Sequence, residues 1–151
     1  LNVGEKKNKE ELARKLAEIA KNMAPGSLDV GFMSGATYPD GTPVAQVAFW
    51  NEFGTSRAPS RPFFRAMIAK ESAGWPELLG KAAVSTGYST RQALGLIGEK
   101  INDDLKSSIV GWQDPPNAPI TVAKKGFNKP LVDTGDMLRS TTYRVQMEGD
   151  E

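Results

Sequence analysis

The stretch Ser89–Gly111, "STRQALGLIGEKINDDLKSSIVG", decides the fold of this chain. Leu94, Ile97, Ile101, Leu105 and Ile109 recur every three or four residues, which is the spacing of one face of an α-helix. Ser89-Thr90-Arg91-Gln92 at its front is a capping box: the serine side chain accepts from the third backbone N–H and the glutamine reaches back. The period stops at Gly111, so a long central helix is expected between these limits. Gly95 and Gly98 sit inside it, at a cost of about 1 kcal/mol each relative to alanine. They point to a place where another backbone comes close.

Upstream, Glu5 to Met23 reads as a long amphipathic helix, with Leu12, Leu16, Ile19 and Met23 at helical spacing. Glu10 and Arg14, and Glu11 and Lys15, are i,i+4 pairs in the favourable order. Such a stripe is expected to face the core. Pro25 and Gly26 end the helix, and "LDVGFM" (28–33) alternates like a short strand. Asp40-Gly41 suits a hairpin turn, whereas Thr42-Pro43 suits a helix start with Thr42 as N-cap. The helix, from Pro43 to about Glu52 with Gly54 as its stop, is the preferred reading. A loop over 54–61 follows, then a helix opened by Ser60 and Pro62 through about Ser72. Trp75-Pro76 is expected to break it, with a further helical piece over 76–84.

Downstream, 112–136 changes character. It holds four of the ten prolines, with two glycines and three lysines. A segment this long without a sustained period reads as an extended, Pro-rich arm, mobile when free and ordered by a neighbour. One turn of helix is expected at 121–125. The last strand follows, with Thr141, Tyr143, Val145 and Met147 on one face, and "EGDE" forms an acidic tail. The expectation is one α+β domain over 1–151: two long helices, a small, mostly antiparallel sheet and the arm before the last strand.

Composition narrows the chemistry. The chain has 151 residues, a formal net charge of +1, no cysteine and no histidine. Disulfides, thiolate nucleophiles and the commonest general base and zinc ligand are therefore absent. The lack of cysteine suits a cytosolic life. No apolar run approaches the roughly 20 residues of a membrane helix, and residues 1–12 lack a signal-peptide core. Starting at Leu1, the chain is expected to have lost an initiating Met or an upstream segment.

Asp103 and Asp104 are adjacent and point to different helix faces. Asp133-Thr134-Gly135 is turn chemistry. An aspartic-protease reading needs two carboxylates sharing a proton, and this chain has one such triplet. Lys106, Ser107 and Ser108 are sequence neighbours, and adjacent helical positions do not face one another. No catalytic residue, cofactor site or metal site is expected. Arg57, Arg61 and Arg65 stand near a helix start, where an anion is favoured; the preferred reading pairs them with carboxylates of their own or a neighbouring chain.

Two stretches carry a resemblance. "NEFGTSRAPSRPFFR" (51–65) resembles a motif of a tailed-bacteriophage family, roughly "EFGT…P.RPF.R". "PPNAPITVAKKGFNKPLVDTGDMLRSTTYRV" (115–145) resembles the C-terminal signature of the same family, a Pro-rich lead followed by Lys-Gly and "PL-D-TG-L-S". The family is the virion morphogenesis or tail-completion (head–tail joining) proteins, including the Mu-like group. The order of the motifs agrees, they cover about a third of the chain, and 66–111 matches nothing in it.

The resemblance implies a non-enzymatic, ring-forming structural subunit of the phage neck or tail, located in the virion and in the host cytoplasm during assembly. Its partners would be itself, in a ring of six by resemblance, and other neck or tail proteins, with no membrane. Asn51, Glu52, Phe53, Gly54, Arg57, Arg61, Phe63, Phe64 and Arg65 are then candidate subunit or partner contacts. So are Lys124, Lys125, Leu131, Asp133, Thr134 and Gly135. Aromatic and arginine side chains are enriched at interface hot spots, although at least one of the phenylalanines is expected to plug the domain's own core. Alternatives are a tail terminator, or a nucleic-acid-binding module contacting DNA in the head–tail channel through Lys124, Lys125 and Lys129.

Overall fold

In a computed structural model, which describes residues 2–133 and 135–150, the elements follow in this order: α1 (Val3–Asn22), β1 (Gly26–Phe32), α2 (Val44–Phe53), α3 (Phe63–Glu71), a 3-10 turn (Ser72–Gly74), α4 (Trp75–Ser85), α5 (Thr90–Gly111), α6 (Pro119–Lys125), α7 (Asp136–Arg139) and β2 (Thr141–Met147). The fold is α+β and forms one domain, as the helical and strand periods imply.

α5 is the element on which the others are laid. Ser89 caps it, its side chain accepting from the Gln92 backbone N–H at 3.4 Å. Ala93, Ile97, Ile101, Leu105 and Ile109 are buried, the last two fully. β1 and β2 form a two-stranded antiparallel sheet with Leu28 opposite Val145 and Val30 opposite Tyr143. One face of this sheet and the helices α3 and α4 cover the apolar stripe of α5. A two-stranded ribbon is marginal by itself, so burial against α5 is what stabilises it.

Gly98 shows why the stripe admits a glycine. A Cβ there would overlap the Tyr143 ring and lie 2.9 Å from Leu28 Cδ1. The close approach is made by side chains of the sheet, not by a second backbone. Gly95 has open space around its Cβ position.

Other expectations change in detail. The Asp40-Gly41 turn and the helix both form: Tyr38 N–H donates to Thr42 O (2.9 Å), Thr37 bridges Pro43, and α2 begins at Val44 with Pro43, not Thr42, at the N-cap. Pro76 lies in the first turn of α4 and does not separate it from α3, because the 3-10 turn joins the two. A first-turn proline loses no intrahelical hydrogen bond.

The largest correction concerns α1. No residue of this 20-residue helix is buried. Leu12, Leu16 and Met23 are 58%, 57% and 57% exposed. The stripe expected in the core faces outward. At its C-terminal end Asn22 Nδ2 donates to Gly87 O at the α4–α5 turn (3.4 Å).

The Pro-rich arm also differs. It carries α6 and is followed by α7, so it is only partly extended. Leu131 and Met137 are buried in the core, and Arg61 donates to the Pro115 and Pro116 carbonyls at 3.1 and 3.4 Å. The arm is thus held against its own domain. In the Asp133–Gly135 turn, Gly135 has φ 82° and leads into α7 rather than directly into the last strand; Thr134 lies outside the described residues.

Candidate functional site

The segment joining α2 to α3 is an elbow built around one carboxylate. Glu52, 6% exposed, accepts from the backbone N–H groups of Phe64 (2.9 Å) and Arg65 (3.1 Å) in the first turn of α3. Arg65 Nε donates to the same carboxylate at 2.7 Å, and Arg65 Nη2 to the Glu52 carbonyl at 3.1 Å. First-turn N–H groups lack intrahelical partners and the helix dipole favours an anion there, so Glu52 satisfies both needs from its own chain. The preferred carboxylate pairing thus holds for Arg65, and Glu52 takes the place an external anion would have at this helix start.

The rest of the elbow follows from this geometry. Gly54 adopts φ 78°, and a Cβ there would lie 2.8 Å from Ser60 N. Thr55 Oγ1 accepts from Arg57 and Ala58 N–H groups, closing the loop, and Ser60 Oγ donates to Glu52 O at 2.7 Å. Arg61 is buried and spends its guanidinium on the arm carbonyls; burial holds it below its ordinary pKa. Phe63 is fully buried. Glu52, Arg61 and Phe63 are therefore turned into the fold in this conformation, whereas Arg57, Phe53 and Arg65 remain on the surface.

Beside the elbow lies an aromatic groove of ≈ 270 Å³, walled by Phe32, Ala45, Ala48, Phe49, Phe53 and Phe64. Phe49 and Phe53 stack in a tilted pair with centroids 4.7 Å apart, and the Arg65 guanidinium lies 4.8 Å from the Phe53 centroid. Both phenylalanines are more than half exposed, at 59% and 53%. Partly buried Phe64 links the groove to Phe63 in the core.

On another side of α2 is a larger cleft of ≈ 650 Å³. Tyr38, Trp50 and Asn51 line one wall; Asn117, Thr121, Lys125, Leu131, Asp133 and Gly135 line the other. Of the first resembling stretch only Asn51 lines this cleft, whereas the second contributes most of the far wall. Tyr38 titrates above its ordinary range, through burial first and then the negative charges of Asp136, Asp133 and Asp40. Lys125 is shifted down by burial, with Asp133 opposing the shift and Arg61 adding to it. Its ammonium donates to Lys129 O at 3.0 Å and lies 5.2 Å from the Phe127 centroid. The cleft presents aromatic, carboxylate and ammonium groups together, which suits recognition of a polar partner segment. Among the described residues no acidic cluster has the arrangement of a metal site, and no helix is long and apolar enough to cross a membrane.

Of the sequence candidates, Asn51, Lys125, Leu131, Asp133 and Gly135 come together at the cleft, and Glu52, Phe53, Phe63, Phe64 and Arg65 at the groove. Lys124 is exposed and lies outside both. Phe49, Trp50, Tyr38 and Thr121 were not singled out. The i,i+4 spacing of Phe49 and Phe53 was a usable signal for the first; nothing local marked Tyr38, which the hairpin at 37–43 swings into the cleft. No protein-family model matches the chain, and neither curated proteins nor solved structures give a significant match.

Proposed function

We propose that this chain is a structural subunit of a bacteriophage tail, acting in tail completion or head–tail joining, and that it works as a member of a homo-oligomeric ring. The observation that carries this reading is the cleft. Two stretches that resemble tail-completion proteins are brought together at its edge: Arg61 of 51–65 donates to the Pro115 and Pro116 carbonyls that open 115–145, and Asn51 lines the cleft with residues of the second stretch. A shared surface is what a single docking function would require. The exposed aromatic groove and the exposed Leu12, Leu16 and Met23 of α1 add contact area of the kind a self-assembling subunit needs.

The role is tested by electron microscopy of phage particles lacking this protein. Separate full heads and tails, or tails of abnormal length, are expected. Normally joined particles with tails of normal length would overturn the proposal. DNA contact is a weaker reading, because Lys125 is occupied within its own arm. Binding to duplex DNA that falls steeply with salt would favour it.

A further inference from the structure

We propose that the apolar stripe of α1 docks into the aromatic groove beside α2 and α3 of a second copy of this chain, joining copies head to tail. The stripe is a convex row in which Leu12, Leu16 and Met23 are more than half exposed, while Ile19 is half-buried beside the Thr86–Tyr88 turn. The groove is a concave wall of phenylalanine rings and alanine methyls. Its only carboxylate, Glu52, already holds Arg65 and two backbone N–H groups, so covering the groove strands no unpaired charge.

The two surfaces lie at opposite ends of β1. α1 feeds the strand at Gly26, and Phe32, its last residue, lines the groove. A strand of seven residues spans about 20 Å. Stripe and groove are therefore different patches, and pairing them between copies is heterologous: it propagates until the rotation closes a ring. The contact stands on this geometry; its closure into a ring rests on the reading under Proposed function.

Size argues for the ring over a lone pair. Four aliphatic side chains bury on the order of 100 Å² each. With the matching groove surface this reaches roughly 800 Å², below the 1,200–2,000 Å² of stable complexes. One contact is weak and reversible, but in a closed ring every copy is held twice. The competing occupant is another α1, since 12, 16, 19 and 23 also fit coiled-coil seam spacing. That seam covers barely two heptads, with Glu5 and Lys9 at the preceding seam positions, and it leaves the groove bare.

The chain has no cysteine, so engineered thiols report contacts cleanly. Purified Leu16→Cys and Phe49→Cys proteins, both altered at exposed positions, are mixed and oxidised, with Gln113→Cys as the collision control. A mixed Leu16–Phe49 disulfide in several-fold excess over the Leu16 homodimer and over the control is expected, as is a multimer ladder from the double variant. Leu16→Asp should raise the self-association midpoint at least tenfold with an unchanged melting temperature. A dominant Leu16 homodimer, or no disulfide above the control, overturns the proposal. Either result leaves the microscopy test of the tail role standing separately.

Discussion

The α2–α3 elbow and α1 both mix apolar and charged residues at close spacing, and they end on opposite sides of the protein surface. In the elbow, Phe63 is fully buried, Arg61 is nearly so, and Glu52 caps a helix of its own chain. In α1 no residue is buried, and of the aliphatic stripe only Ile19, beside the Thr86–Tyr88 turn, is half-covered. The elbow looks made for a partner and is largely consumed internally. The helix looks made for a core and is left for something else to cover. Hydrophobic periodicity reveals that an apolar face exists, not which chain covers it.

The sharpest way to break this contrast is Phe63→Ala. A fully buried phenylalanine truncated in a packed core should cost about 3–5 kcal/mol, read by denaturant unfolding. A loss below about 1 kcal/mol would mean the elbow is not internal. Next comes Glu52→Ala, which leaves two first-turn N–H groups of α3 and the Arg65 guanidinium without their acceptor. About 2 kcal/mol is expected, and Glu52→Gln should recover part of it because an amide oxygen still accepts. Equal losses for both would show that charge, not hydrogen-bond acceptance, is what α3 requires.

Two glycines of one helix sharpen the same point on a smaller scale. Gly98→Ala pushes a methyl into the Tyr143 ring and should destabilise by about 1–3 kcal/mol. Gly95→Ala meets open space and should stabilise by up to about 1 kcal/mol. The smallest effects belong to the outward surfaces. Leu16→Ala and Phe53→Ala should move monomer stability by no more than about 0.5 kcal/mol, while reducing self-association.

The elements themselves were largely legible. The Ser89 cap, the α5 stripe, the Gly54 stop and the alternation of β2 are local signals, and local backbone chemistry decides them. What was not legible depends on distant chain. Nothing near Glu52 announces that its carboxylate reaches over to residues 64 and 65. The meeting of Asn51 with Leu131 and Asp133 across a cleft follows from how the arm packs, and the arm is anchored by Arg61 from another element. α7 is four residues long, too short for a period to show. The outward α1 stripe was misread because amphipathic helices usually face their own core.

Hydrogen exchange on the dilute, monomeric full-length protein tests the contrast most directly. The amides of Phe64 and Arg65 donate to a buried carboxylate, so they should be protected on the scale of α5. Those of α1 should exchange orders of magnitude faster and slow only as concentration drives association. Protection of α1 equal to that of α5 in the dilute monomer would show that the domain covers its own stripe, and would contradict the account.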